Sequence, residues 1–252
     1  MKKSWMVTGN RTCSLVALII LCGCAKTRVP RDAAEQALDD ARRLAESGDY
    51  AGALEKHVWF HNHALGVRPS YYGVRLSFAL ADWVELGQKY PPALEKLRSI
   101  RDAKASSLST GLQNRELFHD VVAINQYLEQ PVKTVVLFKE IDGSNPQFAS
   151  KVYDLAQTAL VDNKEYELAK KYLHDPEVRF AHAKENFEEG MRWAKQSGGE
   201  DSREAFEQIF TDDVTTIITI LKETGDQDRA RKIQSEALSV LKSEKVRNAL
   251  KQ

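Results

Sequence analysis

Residues Tyr71 to Lys104 read YYGVRLSFALADWVELGQKYPPALEKLRSIRDAK, and the spacing of their apolar positions decides the fold. Val74, Phe78, Ala81 and Leu86 follow one another at helical intervals, and Leu76, Leu80, Trp83 and Val84 widen the stripe. A period near 3.6 with a stripe of this width predicts a helix that buries a broad face. Gly87 is placed to end it. Pro91 and Pro92 suit the first turn of a second helix, where the amide that proline lacks would have no partner in any case. Ala93, Leu94, Leu97 and Ile100 carry the second stripe. Two such helices joined by a short turn cannot cover their own apolar faces, so the pair requires neighbours of the same construction.

The pattern repeats on both sides. Asp32 is positioned as an N-cap ahead of Ala34, Ala37, Leu38, Ala41, Leu44 and Ala45. Gly48-Asp49-Tyr50 makes a turn, and Ala53, Leu54, Val58, Trp59 and Phe60 lead on to about Leu65. A loop is expected over 105–111. Leu117, Phe118, Val121, Val122 and Ile124 then form a third first helix, and Pro131 opens its partner with Val135, Phe138 and Ile141. Val152, Tyr153, Leu155, Ala156, Ala159 and Leu160 begin a fourth pair, which returns through Leu168, Ala169, Tyr172 and Leu173. Pro176 opens a further helix ending at Ser197-Gly198-Gly199. The last pair runs from Phe206 to Leu221, turns at Gly225-Asp226 and returns from Ala230 to Leu241. All seven prolines lie between periodic segments, and no stretch alternates for long with period two. The chain is therefore expected to be all-α over 33–242, with an amphipathic tail, 243–252, capping it.

Composition narrows the function. With 36 basic and 36 acidic residues there is no excess of positive charge to mark a nucleic-acid partner. Cys13, Cys22 and Cys24 are the only cysteines, which excludes a disulfide framework or a cysteine zinc site from the helical part. A glycine-rich phosphate loop, HExxH and GxSxG are all absent, and the acidic pairs Glu188-Glu189 and Asp212-Asp213 read as solvated faces. The expectation is a protein that is not an enzyme and uses no cofactor.

The first 23 residues begin with Lys2 and Lys3 and carry an apolar run, SLVALIILCG from Ser14 to Gly23. That run is shorter than the roughly 20 residues of a spanning helix, and a basic start with a short apolar core predicts a secretory signal. Leu21-Cys22-Gly23-Cys24 resembles the lipobox of bacterial lipoproteins. The resemblance implies removal of 1–23, a diacylglyceryl thioether on Cys24, and a short polar tether over 24–32. Two or three acyl chains, at about 0.8 kcal/mol per buried methylene, hold a protein on a bilayer. Ala25 is not the aspartate that retains such proteins in the inner membrane of enteric-type bacteria. By resemblance, the chain is expected on the outer membrane, facing the periplasm.

The turns also align. Gly48-Asp49-Tyr50-x-x-Ala53, Tyr90-x-x-Ala93, Tyr166-x-x-Ala169 and Gly225-Asp226-x-x-x-Ala230 share a small residue, with Thr134 in the corresponding place of the third pair. A small side chain there lets the paired helices approach closely, and the tyrosine fills the corner. This resembles the tetratricopeptide repeat superfamily of stacked antiparallel helix pairs, and implies an α-solenoid of four to five degenerate repeats with one inserted helix before the last pair. Members of that superfamily bind ligands along the first helix of each pair. Carried onto this chain, that surface includes Arg42, Arg75, Phe78, Asp82, Glu85, His119, Gln126 and Asp154. The set is mixed in sign and does not reproduce the lysine–asparagine clamp of some members. Arg75 with Asp82 also reads as a structural ion pair.

The expected role is a protein-interaction scaffold whose partner is a protein or peptide of the bacterial cell envelope, with the membrane reached through Cys24. Comparable lipoproteins serve barrel-insertion, pilus or secretion machines and cell-wall enzymes. A competing expectation rests on His57 and His61, one helical turn apart in HVWFHNH, which could share a metal ion. The plainer reading sets His57 among Trp59 and Phe60, and puts His61 and His63 near a helix end, where the dipole favours them.

Overall fold

A computed structural model describes residues 31–197 and 199–251; the expected signal segment, Cys24 and most of the expected tether lie outside the described residues. Asp32 caps α1 (Ala33–Glu46), its carboxylate accepting from the amides of Ala34 and Glu35. After a turn at Gly48 come α2 (Tyr50–Val67), α3 (Tyr71–Leu76), α4 (Phe78–Lys89) and α5 (Pro91–Ser109). There follow α6 (Arg115–Tyr127), α7 (Pro131–Ser144), α8 (Pro146–Asp162), α9 (Tyr166–Leu173) and α10 (Pro176–Ser197). The chain closes with α11 (Glu200–Glu223), α12 (Gln227–Val240) and α13 (Glu244–Asn248). Among the described residues there is no strand, and the protein is all-α.

Four turns close in the same way. Gly48, Glu129, Lys164 and Gly225 take φ of 85°, 56°, 61° and 84°. The residue after each donates its amide to the carbonyl five positions back: Asp49 to Leu44, Gln130 to Asn125, Glu165 to Leu160 and Asp226 to Leu221. This left-handed closure satisfies carbonyls that the helix end leaves free. Beyond each turn the small residue is buried: Ala53, Ala169 and Ala230 at 0% exposure and Thr134 at 1%. Ala93, at 0%, holds the same place after Tyr90, and its carbonyl accepts from the Trp83 indole at 2.9 Å. Tyr50 and Tyr90 stack at 6.3 Å between ring centres.

Helices pack mainly on their chain neighbours. The first members of the pairs, α1, α4, α6, α8 and α11, also touch one another in that order. The core follows suit, in three clusters. One joins α1 to α2 and the start of α4 around Phe60; a second runs from α2 to α6 around Trp83; the third extends from Leu108 through Phe138, Leu160 and Ile218 to Val246 and Ala249 of α13 and the turn after it.

The stretch that opened the sequence reading and the segment just after it fold differently in three respects. The first helix breaks at Ser77 (φ −128°, ψ −95°), whose hydroxyl donates to the Gly73 carbonyl at 2.7 Å, a side-chain bond of the kind that competes with the helical ladder. The break turns Arg75 and Leu76 inward and leaves Phe78 68% exposed and Ala81 exposed, so neither belongs to the buried stripe. Gly87 does not stop α4. It lies inside the helix, where a Cβ would meet Leu94 Cγ at 2.3 Å, so its role is the close approach of α4 and α5. The expected loop at 105–111 is helical as far as Ser109.

Candidate functional site

The face made by α1, α4, α6 and α8 is tied across by ion pairs. Arg42 Nε on α1 donates to Asp82 on α4 at 2.8 Å. Arg115 on α6 grips Asp154 on α8 through two bonds of 2.7 and 2.6 Å. Both pairs are partly exposed, and exposed pairs contribute about 1 kcal/mol or less. Their effect is to fix the register of successive first helices.

Arg75 is the correction within the expected surface. Its side chain is 5% exposed, as is that of its partner, Asp120. Arg75 Nη1 donates to Asp120 Oδ2 at 3.0 Å, and Nη2 bonds the other oxygen. It therefore pairs neither with Asp82 nor with any approaching ligand. Lys104 donates to Asp120 as well, and its Nζ lies 2.9 Å from His61 Nε2. An ammonium has only donors, so this ring nitrogen accepts and His61 is neutral. Burial, then the Lys104 and Arg75 cations, push the His61 pKa down to about 3. Burial raises the Asp120 carboxyl, but Arg75 and Lys104 outweigh it and hold the group below the usual range. Removing one member of such a buried pair costs about 3–5 kcal/mol. An Arg75 charge reversal would therefore report on folding and not on binding.

His57 and His61 both lie against the Trp83 ring system. His57 stacks on it at 5.6 Å and His61 meets it edge-on at 6.1 Å. Both are buried, at 2% and 5%. Burial lowers His57 to about 4, against the opposing pull of Asp82 and with a smaller contribution from Arg42. The expected neighbours were exchanged: Trp59 stacks instead on His63, whose Nδ1 is 2.8 Å from the Trp59 carbonyl. His61 Nε2 faces the Lys104 cation, and no group of three or more potential ligands occurs among the described residues.

The remaining expected residues fall into two hollows and the surface around them. Arg42, Asp82 and Glu85 line a hollow of about 270 Å³ between α1 and α4, with His57 among its walls. Gln126 lines a second, of about 520 Å³, formed by α6, α8 and the start of α7. Phe78 stands exposed, and the His119 ring is held by Tyr72, whose hydroxyl lies 2.8 Å from Nδ1.

Sequence reasoning missed Asp120, Lys104 and Arg115. A signal for them exists: Arg42/Asp82, Arg75/Asp120 and Arg115/Asp154 are separated by 40, 45 and 39 residues. Each is an opposite-charge pair about one helix-pair interval apart. A second buried network was also unforeseen, in which Arg101 on α5 donates to Asn125 on α6 at 2.7 Å and to Gln130 at 2.9 Å, and Asn125 donates to Thr134 on α7.

Neither a family model nor a curated protein matches this chain. Among the described residues no helix is long and apolar enough to cross a membrane.

Proposed function

We propose that the chain is a lipid-anchored α-solenoid of the tetratricopeptide-repeat kind, held at the bacterial cell envelope through Cys24 and acting as a scaffold for a protein or peptide, not as an enzyme. The observation that carries this reading is the serial contact of α1, α4, α6, α8 and α11. It makes one continuous face from the first helices, opened by hollows at two steps. The shared turn closure supports the repeat assignment, and in this reading α10 is the inserted helix. Anchoring rests on the lipobox-like Leu21-Cys22-Gly23-Cys24 and the apolar run before it.

Photocrosslinking from defined positions tests the scaffold. A crosslinker at Glu85 or Gln126, both exposed on the face, is expected to trap discrete adducts in native membranes, and one at Lys232 on α12 to trap none. Equal yields from all three positions, or no adduct from any, would overturn the assignment. Cys24→Ala is expected to move the protein from the membrane to the soluble fraction and to abolish labelling with an alkynyl fatty acid. Retention of both would remove the anchor.

A further inference from the structure

We infer that the hollow between α6 and α8 seats a basic side chain, a lysine or arginine of the partner. The inference rests on the binding face proposed above and gives its occupant a chemistry. Val122 and Leu155 supply apolar walls from the two first helices, and Pro131 and Thr134 close the α7 side. Two carboxylates, Glu129 and Asp162, stand at the rim. Among the described residues neither has a salt-bridge partner, which sets them apart from Asp82, Asp120 and Asp154, each neutralised by an arginine. No lysine or arginine is among the lining residues.

The backbone acts in the same direction. Gln126 lies in the last turn of α6, and Ala159 and Asp162 in the last turn of α8. Helix C-termini carry partial negative charge, and cations near them are stabilised by about 0.3–1 kcal/mol. The one helix that begins here, α7, does so with Pro131, which brings no amide hydrogen to favour an anion. Thr134 is 1% exposed and its hydroxyl already accepts from Asn125. A long cationic side chain matches this lining, since its methylenes can lie on Val122 and Leu155 while its head reaches the two carboxylates.

The test uses short synthetic peptides of alternating alanine and lysine, alanine and norleucine, or alanine and glutamate, titrated into the full chain in detergent micelles. Binding is followed by backbone amide shifts. The lysine peptide is expected to shift amides at the C-terminal ends of α6 and α8, and to bind about tenfold more tightly than the norleucine peptide. Glu129→Gln with Asp162→Asn should remove that advantage without lowering the melting temperature, because both residues are exposed and carboxylates at helix C-termini do not stabilise the fold. Equal binding of the lysine and norleucine peptides at this hollow would overturn the charge assignment and leave the binding face standing. So would a lysine peptide that shifts amides elsewhere on the face. If none of the three peptides shifts any first-helix amide, the face itself falls, and this assignment with it.

Discussion

A histidine in water takes up a proton near pH 6.5, and folding denies that proton to His57 and His61. Their folded-state values, about 4 and about 3, lie below the unfolded one. Each therefore contributes stability that is fully present above about pH 6.5 and is lost as pH falls toward the folded values. The slope reaches about 1.4 kcal/mol per pH unit for each group. Burial is the main cause of both depressions; Lys104 and Arg75 around His61 and Arg42 near His57 add to it, while Asp120 and Asp82 oppose it. Urea midpoints should hold steady from pH 8 to 7 and then drop progressively to pH 5. His57→Phe, which keeps an aromatic ring against Trp83, should make that drop shallower. A midpoint that stays level down to pH 5 would contradict the buried, neutral assignment. At this scale the sequence was a poor guide. His57 and His61 were recognisable as neighbours on a helix, but what they touch is decided by Trp83 and Lys104, which arrive from other helices. Arg75 differs for a local reason as well: the break at Ser77 separates α3 from α4, and Arg75 turns inward to Asp120 of α6.

Helices and turns were more legible, because their signals are local. Proline at the start of α5, α7 and α10, the Asp32 cap and the small residues after each turn all do what their chemistry requires. Glycine was the ambiguous case, because its sequence signal is the same whether it ends a helix or thins one. Substitution separates the two uses. Gly87→Ala places a methyl group within 2.3 Å of Leu94 Cγ. Overpacking of this kind costs about 1–3 kcal/mol, against a helix-propensity gain of at most about 1 kcal/mol. Gly143 in α7 faces open space, so Gly143→Ala has only the propensity gain, about 0.5 kcal/mol at a helix end. Chemical denaturation should find Gly87→Ala destabilised and Gly143→Ala slightly stabilised; the same sign for both would sink the close-approach account of α4 and α5.

For the molecule as a whole, the decisive property is that the core lies in three clusters along the chain. The cluster at the α1 end is small: of its six buried members, four are alanines, and only Leu38 and Phe60 are larger. The cluster from α5 onward holds many aromatic and branched side chains and takes in nine helices. Stability need not be uniform across such a structure, and opening free energies fall where few apolar contacts hold a segment. Native-state hydrogen exchange should therefore release the amides of α1 well before those of α8 and α11. Simultaneous exchange of all three helices by one global opening would refute this. The serial, pairwise order of helices could be read from the sequence because the apolar period recurs with every pair. The division of the core could not, since it depends on which stripes meet. Its consequence is mechanical. A pull entering at Arg31 meets the alanine-rich cluster first, so α1 would peel away while the helices from α4 onward kept their shape.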